Sequence, residues 1–165
     1  MTQTLGSPLV DLTFLPDFAA WQTANPGFTL AQYGYPTIRP DHFFAVGSLL
    51  WPKLIQHEGG LFLEDGFEIP TFDQWLAQTS SLTATERVMN HRHMRDMLRS
   101  FANAPRELLL SAANLMQQCW KGRLYQLCPE TPATVEVYET DFDVEITLYV
   151  VRPQPNTEED VVRKS

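Results

Sequence analysis

The sequence predicts an α+β fold: a helical layer with a small hairpin and a C-terminal antiparallel β-meander. Two patterns carry that prediction. Between residues 16 and 121, apolar side chains recur three and four apart in segments punctuated by Gly and Pro, as in helices with one buried stripe. Beyond Arg123 the period falls to two, and the intervals between the alternating segments are short enough for antiparallel connections.

Residues 1–13 are weakly patterned and read as an irregular arm. A short helix starts at Pro16 or Asp17 with Phe18 and Trp21 on one face, and Asn25-Pro26-Gly27 ends it. Phe28 to Pro40, with two tyrosines and two prolines, reads as an extended aromatic loop. Asp41 caps a helix running to Glu58, and Pro52 predicts a kink in it. Phe43, Phe44, Val46, Leu49, Leu50, Trp51, Leu54 and Ile55 leave that helix almost no polar side, so it is expected deep in the core. Leu61 to Ile69 reads as a hairpin turned at Asp65-Gly66. A further short helix brings Phe72, Trp75 and Leu76 inward.

A long central helix is predicted from Thr83 to Phe101, opened by a Thr83/Glu86 capping box. Pro105 opens the next, which runs to about Lys121 with Leu108, Ala112, Leu115, Met116 and Cys119 on its stripe, and Gly122 stops it. Three strands complete the meander: Arg123 to Cys128, Thr134 to Glu139, and Val144 to Val151. The last is the longest and most apolar, and as an edge strand it would invite strand addition by a second chain. Residues 1–152 are expected to form one globular domain and 153–165 a flexible acidic tail.

Composition bounds the function classes. The 165 residues suffice for one domain, and 44% apolar content with 12% aromatics describes a folded chain. A net charge of −8 argues against nucleic-acid binding, which needs a surplus of Lys and Arg. The charge is uneven: residues 1–85 sum to −6, residues 86–123 to +4, and residues 124–165 to −6. No apolar run matches a membrane span, no export signal opens the chain, and a cytoplasmic protein with Cys119 and Cys128 reduced is the expectation.

The chemistry concentrates in the central segment. Glu86, Asn90, His91, His93 and Asp96 form a polar cluster on a helix whose other half is an ordinary core face. On a helix, His91 and His93 diverge by about 160°, so they cannot ligate one ion as an i, i+4 pair does. Glu86, Asn90 and His93 can converge instead, and a buried polar network that holds backbone groups of a neighbouring loop is the favoured reading. No metal and no cofactor is therefore expected. Cys119 and Cys128 lack the close spacing of a zinc site, and there is no nucleophile elbow or phosphate-binding glycine loop. Arg92, Arg95 and Arg99 make a basic stripe that could dock an acidic partner, although such a face is more often simply solvated.

The pattern E-x-x-x-N-H-x-H-x-x-D (Glu86, Asn90, His91, His93, Asp96), followed by a helix ending near Trp120 and a closing hairpin, resembles an uncharacterised family of small bacterial proteins, a domain of unknown function. That resemblance implies no activity, cofactor or substrate. The expectation from the residues themselves is a non-enzymatic module that binds another protein or a second copy of itself. The alternative is a metal-dependent enzyme built at the polar end of the central helix.

Overall fold

The computed structural model describes residues 9–153, apart from the Arg99 side chain. The fold is α+β, as the two periodicities predict, with a two-stranded hairpin and a three-stranded antiparallel sheet among the described residues. The predicted acidic tail, apart from Pro153, and residues 1–8 of the predicted arm lie outside the described residues, while the end of the arm is a 3₁₀ turn (Leu12–Phe14) capped by Asp11.

Helix α1 (Pro16–Ala24) stands where it is predicted, with Phe18 buried against Tyr33 and Trp21. The aromatic segment after it is not a loop. Thr29 and Gln32 form a reciprocal capping box that nucleates α2 (Leu30–Thr37), and Pro36 falls in its last turn. Helix α3 (Pro40–Leu50) is shorter than predicted because Pro52 ends it outright. The chain then enters strand β1 (Leu54–His57), which turns back into β2 (Gly60–Leu63). The hairpin thus lies one strand earlier than Asp65-Gly66 predicts. Its turn residues Glu58 and Gly59 both have positive φ, 47° and 78°, the requirement of a tight two-residue turn matched to strand twist. Helix α4 (Ile69–Thr79) matches its prediction, with Phe72 buried and Trp75 half-buried.

The central helix is broken into four short elements. Helix α5 (Leu82–Met89) is capped by Ser81, whose hydroxyl accepts from the Ala84 amide, and it ends at Asn90. Strand β3 (Arg92–His93) and the single turn α6 (Met94–Met97) come next, then a 3₁₀ turn at Arg99–Phe101. The Thr83/Glu86 capping box does not form. The Thr83 hydroxyl instead donates to the Val150 carbonyl at 3.0 Å.

Helix α7 (Arg106–Leu127) passes through Gly122 without stopping, and the first predicted meander strand is its last turn and a half. Its buried stripe is Leu109, Ala113, Met116, Trp120 and Leu124, one residue along from the predicted one. Gly122 lies against Trp51 within the helix, and a Cβ there would stand 3.5 Å from the ring, an ordinary contact distance. Strands β4 (Ala133–Glu139) and β5 (Val144–Val150) pair antiparallel as predicted. The third strand is β3, and the order β3-β5-β4 puts β5 in the middle. With β4 on one side, β3 along part of the other, and Asn90 and Glu86 bonded to Leu148 and Val150 beyond it, β5 offers no free edge for strand addition. Val144, Ile146, Leu148 and Val150 share the β5 face that joins the stripe of α7 in the principal core.

Helix α3 is the largest departure in packing. Phe43, Phe44 and Val46 are exposed, and Trp51 beyond it is 45% exposed. An all-round apolar helix can face a core or a partner, and periodicity does not distinguish the two. The tryptophan of the core is Trp120, 2% exposed, whose indole donates to the Leu49 carbonyl at 2.9 Å.

Candidate functional site

The predicted polar cluster divides into two arrangements. Glu86 and Asn90, one turn apart on α5, are wholly buried between the open edges of β2 and β5. Glu86 Oε1 accepts from the Leu61 amide at 2.7 Å, and Oε2 accepts from the Val150 amide at 2.9 Å. Asn90 Oδ1 accepts from the Leu63 amide at 2.8 Å, while its Nδ2 donates to the carbonyls of Leu61 and Leu148 at 2.8 and 3.0 Å. The two side chains thus occupy the place a strand would take between the two sheets. Arg152 closes the network with both terminal nitrogens on the Glu86 carboxylate, and that hydrogen bonding holds its guanidinium above the ordinary value against the effect of burial. This is the buried network expected of Glu86 and Asn90, but without His93.

His91 and His93 lie elsewhere because α5 ends at Asn90. In an extended segment, residues two apart share a face, so the 160° divergence expected on a helix disappears. Their ring centroids are 4.5 Å apart. Both rings face Glu145, whose side chain is nearly buried: His91 Nε2 lies 2.7 Å from Oε2, and His93 Nδ1 lies 3.4 Å from Oε1. His93 Nδ1 is also 3.5 Å from Asp143 Oδ2. The sheet register makes this row, since His93, Glu145 and Tyr138 are directly opposite one another on β3, β5 and β4.

Electrostatics derive from the packing. Burial pushes the Glu145 carboxyl up, but hydrogen bonds from His91 and Tyr138 and the charge of the two imidazoles outweigh it, and the net direction is downward. Tyr138 is pushed up to about 12 by burial and by the Glu145 carboxylate beside it. The His91 and Tyr138 rings lie 11° from parallel with centroids 6.1 Å apart. Asp143 is held in place by the Val144 amide at 2.7 Å and the Arg95 amide at 3.3 Å.

The remaining predicted residues do not join this site. Asp96 is exposed on α6 and makes no hydrogen bond or ion pair among the described residues. Arg92 donates to the carbonyls of Met89, His91 and Asp65, tying the end of α5 to the loop after the hairpin. Arg95 donates to carbonyls of Phe142, Phe101, Ala102 and Ala104. Both guanidinium groups are therefore engaged with backbone carbonyls of their own chain. The Arg99 side chain lies outside the described residues. Cys119 and Cys128 are both free and half-buried, and neither joins a metal-ligating group among the described residues.

Glu145, Asp143 and Tyr138 are the site residues that sequence reading missed. The signal was present in the period-two stretch itself, where Glu145 is a carboxylate on the face opposite the core. It becomes meaningful only once the H-x-H triplet is read with the same period. Among the described residues, no helix is long and apolar enough to cross a membrane. No protein-family model, no curated protein and no solved structure matches this chain.

Proposed function

We propose that this protein is a self-associating module whose contact face is formed by α2 and α3. The observation that carries the reading is the exposure of large apolar side chains on these two consecutive helices: Tyr35 80%, Phe44 73%, Phe43 62% and Ile38 54%. A contiguous apolar surface of this kind on a folded chain marks an interaction site.

The occupant is a second copy of the same face. A two-fold contact requires a surface that is complementary to itself, with ridge and groove side by side. Phe43 and Phe44, packed edge to face at 5.5 Å, form the ridge. Beside them is a groove of about 480 Å³ over Ala31, Gly34, Ile38 and Pro40. The face is also locally neutral, as a self-complementary contact needs. Its charged neighbours, Arg39 and Asp41, pair with each other at 3.6 Å. A partner recognised by charge would have nothing here to match.

Light scattering and sedimentation velocity on the full chain test the proposal. Wild type is expected to dimerise at tens of micromolar, and Phe44→Glu and Phe43→Glu to be monomeric with unchanged circular dichroism. A strict monomer across that range, or a dimer indifferent to both substitutions, overturns it.

A further inference from the structure

The sheet face carrying His91, His93 and Glu145 is separate from the α2–α3 surface, and the inference from it does not rest on self-association. We propose that His91, His93 and Glu145 together bind one divalent first-row transition ion of the zinc class.

Two imidazole nitrogens and a carboxylate oxygen lie within 4.8 Å of one another, a combination that suits borderline ions and not the all-oxygen preference of calcium or magnesium. Their spacing has the right scale. Zinc–nitrogen bonds of about 2.0–2.1 Å in a tetrahedron place neighbouring donors roughly 3.4 Å apart. His93 Nδ1 stands 3.4 Å from Glu145 Oε1 and 3.5 Å from Asp143 Oδ2, too far for a good hydrogen bond to either. His91 Nε2 is closer to its oxygen, at 2.7 Å. Replacing the shared proton with an ion needs that pair to open by roughly 0.7 Å.

Charge supports the same conclusion. Asp143 and Glu145 put two carboxylates side by side with their side chains less than a tenth exposed. Among the described residues, no Lys or Arg side chain pairs with either; the only cation partners are the two imidazoles. Nearly buried carboxylates require compensation, and a divalent cation between neutral imidazoles provides it.

The surroundings are fixed and the access is open. The amides of Val144 and Arg95 hold Asp143, and Glu145 stands in the sheet directly opposite Tyr138 and His93, so both carboxylates are placed without the ion. The His93 side chain is 46% exposed, which gives the ion a path from solvent. Three protein donors is the number that reactive metal sites use, and Asp143 is the nearest further donor.

The test uses the full chain after chelator treatment, titrated with Zn²⁺ by calorimetry and melted with and without the ion. Wild type is expected to bind one equivalent and to melt higher with zinc, because a ligand of the folded state stabilises it. Asp96→Asn, a substitution of the exposed carboxylate on α6, keeps both responses. His93→Ala and Glu145→Gln each lose about tenfold or more in affinity. The exposed His93 keeps the test interpretable if the nearly buried Glu145 variant folds poorly. Co²⁺ in place of zinc is expected to give visible ligand-field bands that vanish in His93→Ala. Equal zinc affinity in wild type and His93→Ala overturns the proposal, and so does equal stabilisation by Mg²⁺.

Discussion

Glu86 and Arg152, 66 residues apart in the chain, form a two-pronged ion pair at 2.6 and 2.9 Å around a carboxylate that has no solvent exposure. The same carboxylate also takes the Leu61 and Val150 amides, so its charge is surrounded by four donor contacts. Removing one member of such a pair strands the other. Glu86→Ala is expected to cost about 3–5 kcal/mol. Arg152→Ala falls below that range because Arg152 is partly exposed and the two amides remain. The double variant costs less than the sum, since the second substitution removes a charge already stranded. Chemical denaturation of the four proteins measures this, and strict additivity would show the pair to be uncoupled.

Asn90 makes three hydrogen bonds to backbone groups of β2 and β5, so Asn90→Ala leaves the Leu63 amide and two carbonyls without their partner. The expected loss is about 1–3 kcal/mol. Because Asn90 is not part of the His91/His93/Glu145 group, the loss is the same with and without chelator. Asn90→Asp should be worse than Asn90→Ala, since it replaces both amide donors with oxygen facing the carbonyls of Leu61 and Leu148. Denaturation midpoints in that reversed order would refute this account of the amide.

What could be read from the sequence depended on where its physics is local. Helices α1 and α4 carry their boundaries in neighbouring Pro, Asn and Gly residues, and β4 and β5 carry theirs in strict alternation. The requirement that Glu86 and Asn90 find buried partners was also legible, because a carboxylate and an amide on a core stripe must be satisfied. The end of α5 was not. Neither Gly nor Pro marks it, and Asn90 stops the helix through partners on strands far away in sequence. That one break relocated His91 and His93, and with them the site. The exposure of α3 was illegible for a different reason: Phe43 and Phe44 look the same in sequence whether they fill a core or await another surface.

The tryptophans offer a packing test that separates the expected core from the observed one. Trp120 is enclosed by the principal cluster, whereas Trp51 is nearly half exposed and lies against Gly122 and Arg123. Trp120→Ala is expected to cost about 3–5 kcal/mol. Trp51→Ala should cost clearly less, because nearly half of its surface stays in solvent after folding. Urea midpoints compare them directly. Equal losses would place Trp51 in the core after all.

The hairpin turn gives the last prediction, and its sign differs at adjacent residues. Glu58 and Gly59 both hold positive φ, which an L side chain adopts at a cost of roughly 1–2 kcal/mol and glycine does not. Gly59→Ala should therefore destabilise by about that amount, even though its Cβ would meet nothing closer than Leu82 at 3.9 Å. Space is not the limit there; backbone conformation is. Glu58 already bears the strain, so Glu58→Asn should stabilise, because Asn enters the left-handed region more readily. The gain is expected to be a few tenths of a kcal/mol, within the range of a compatible turn substitution. Thermal melts of the two single variants settle the point: opposite shifts confirm a strained two-residue turn, and a destabilised Glu58→Asn would mean that the carboxylate holds a contact the turn geometry does not explain.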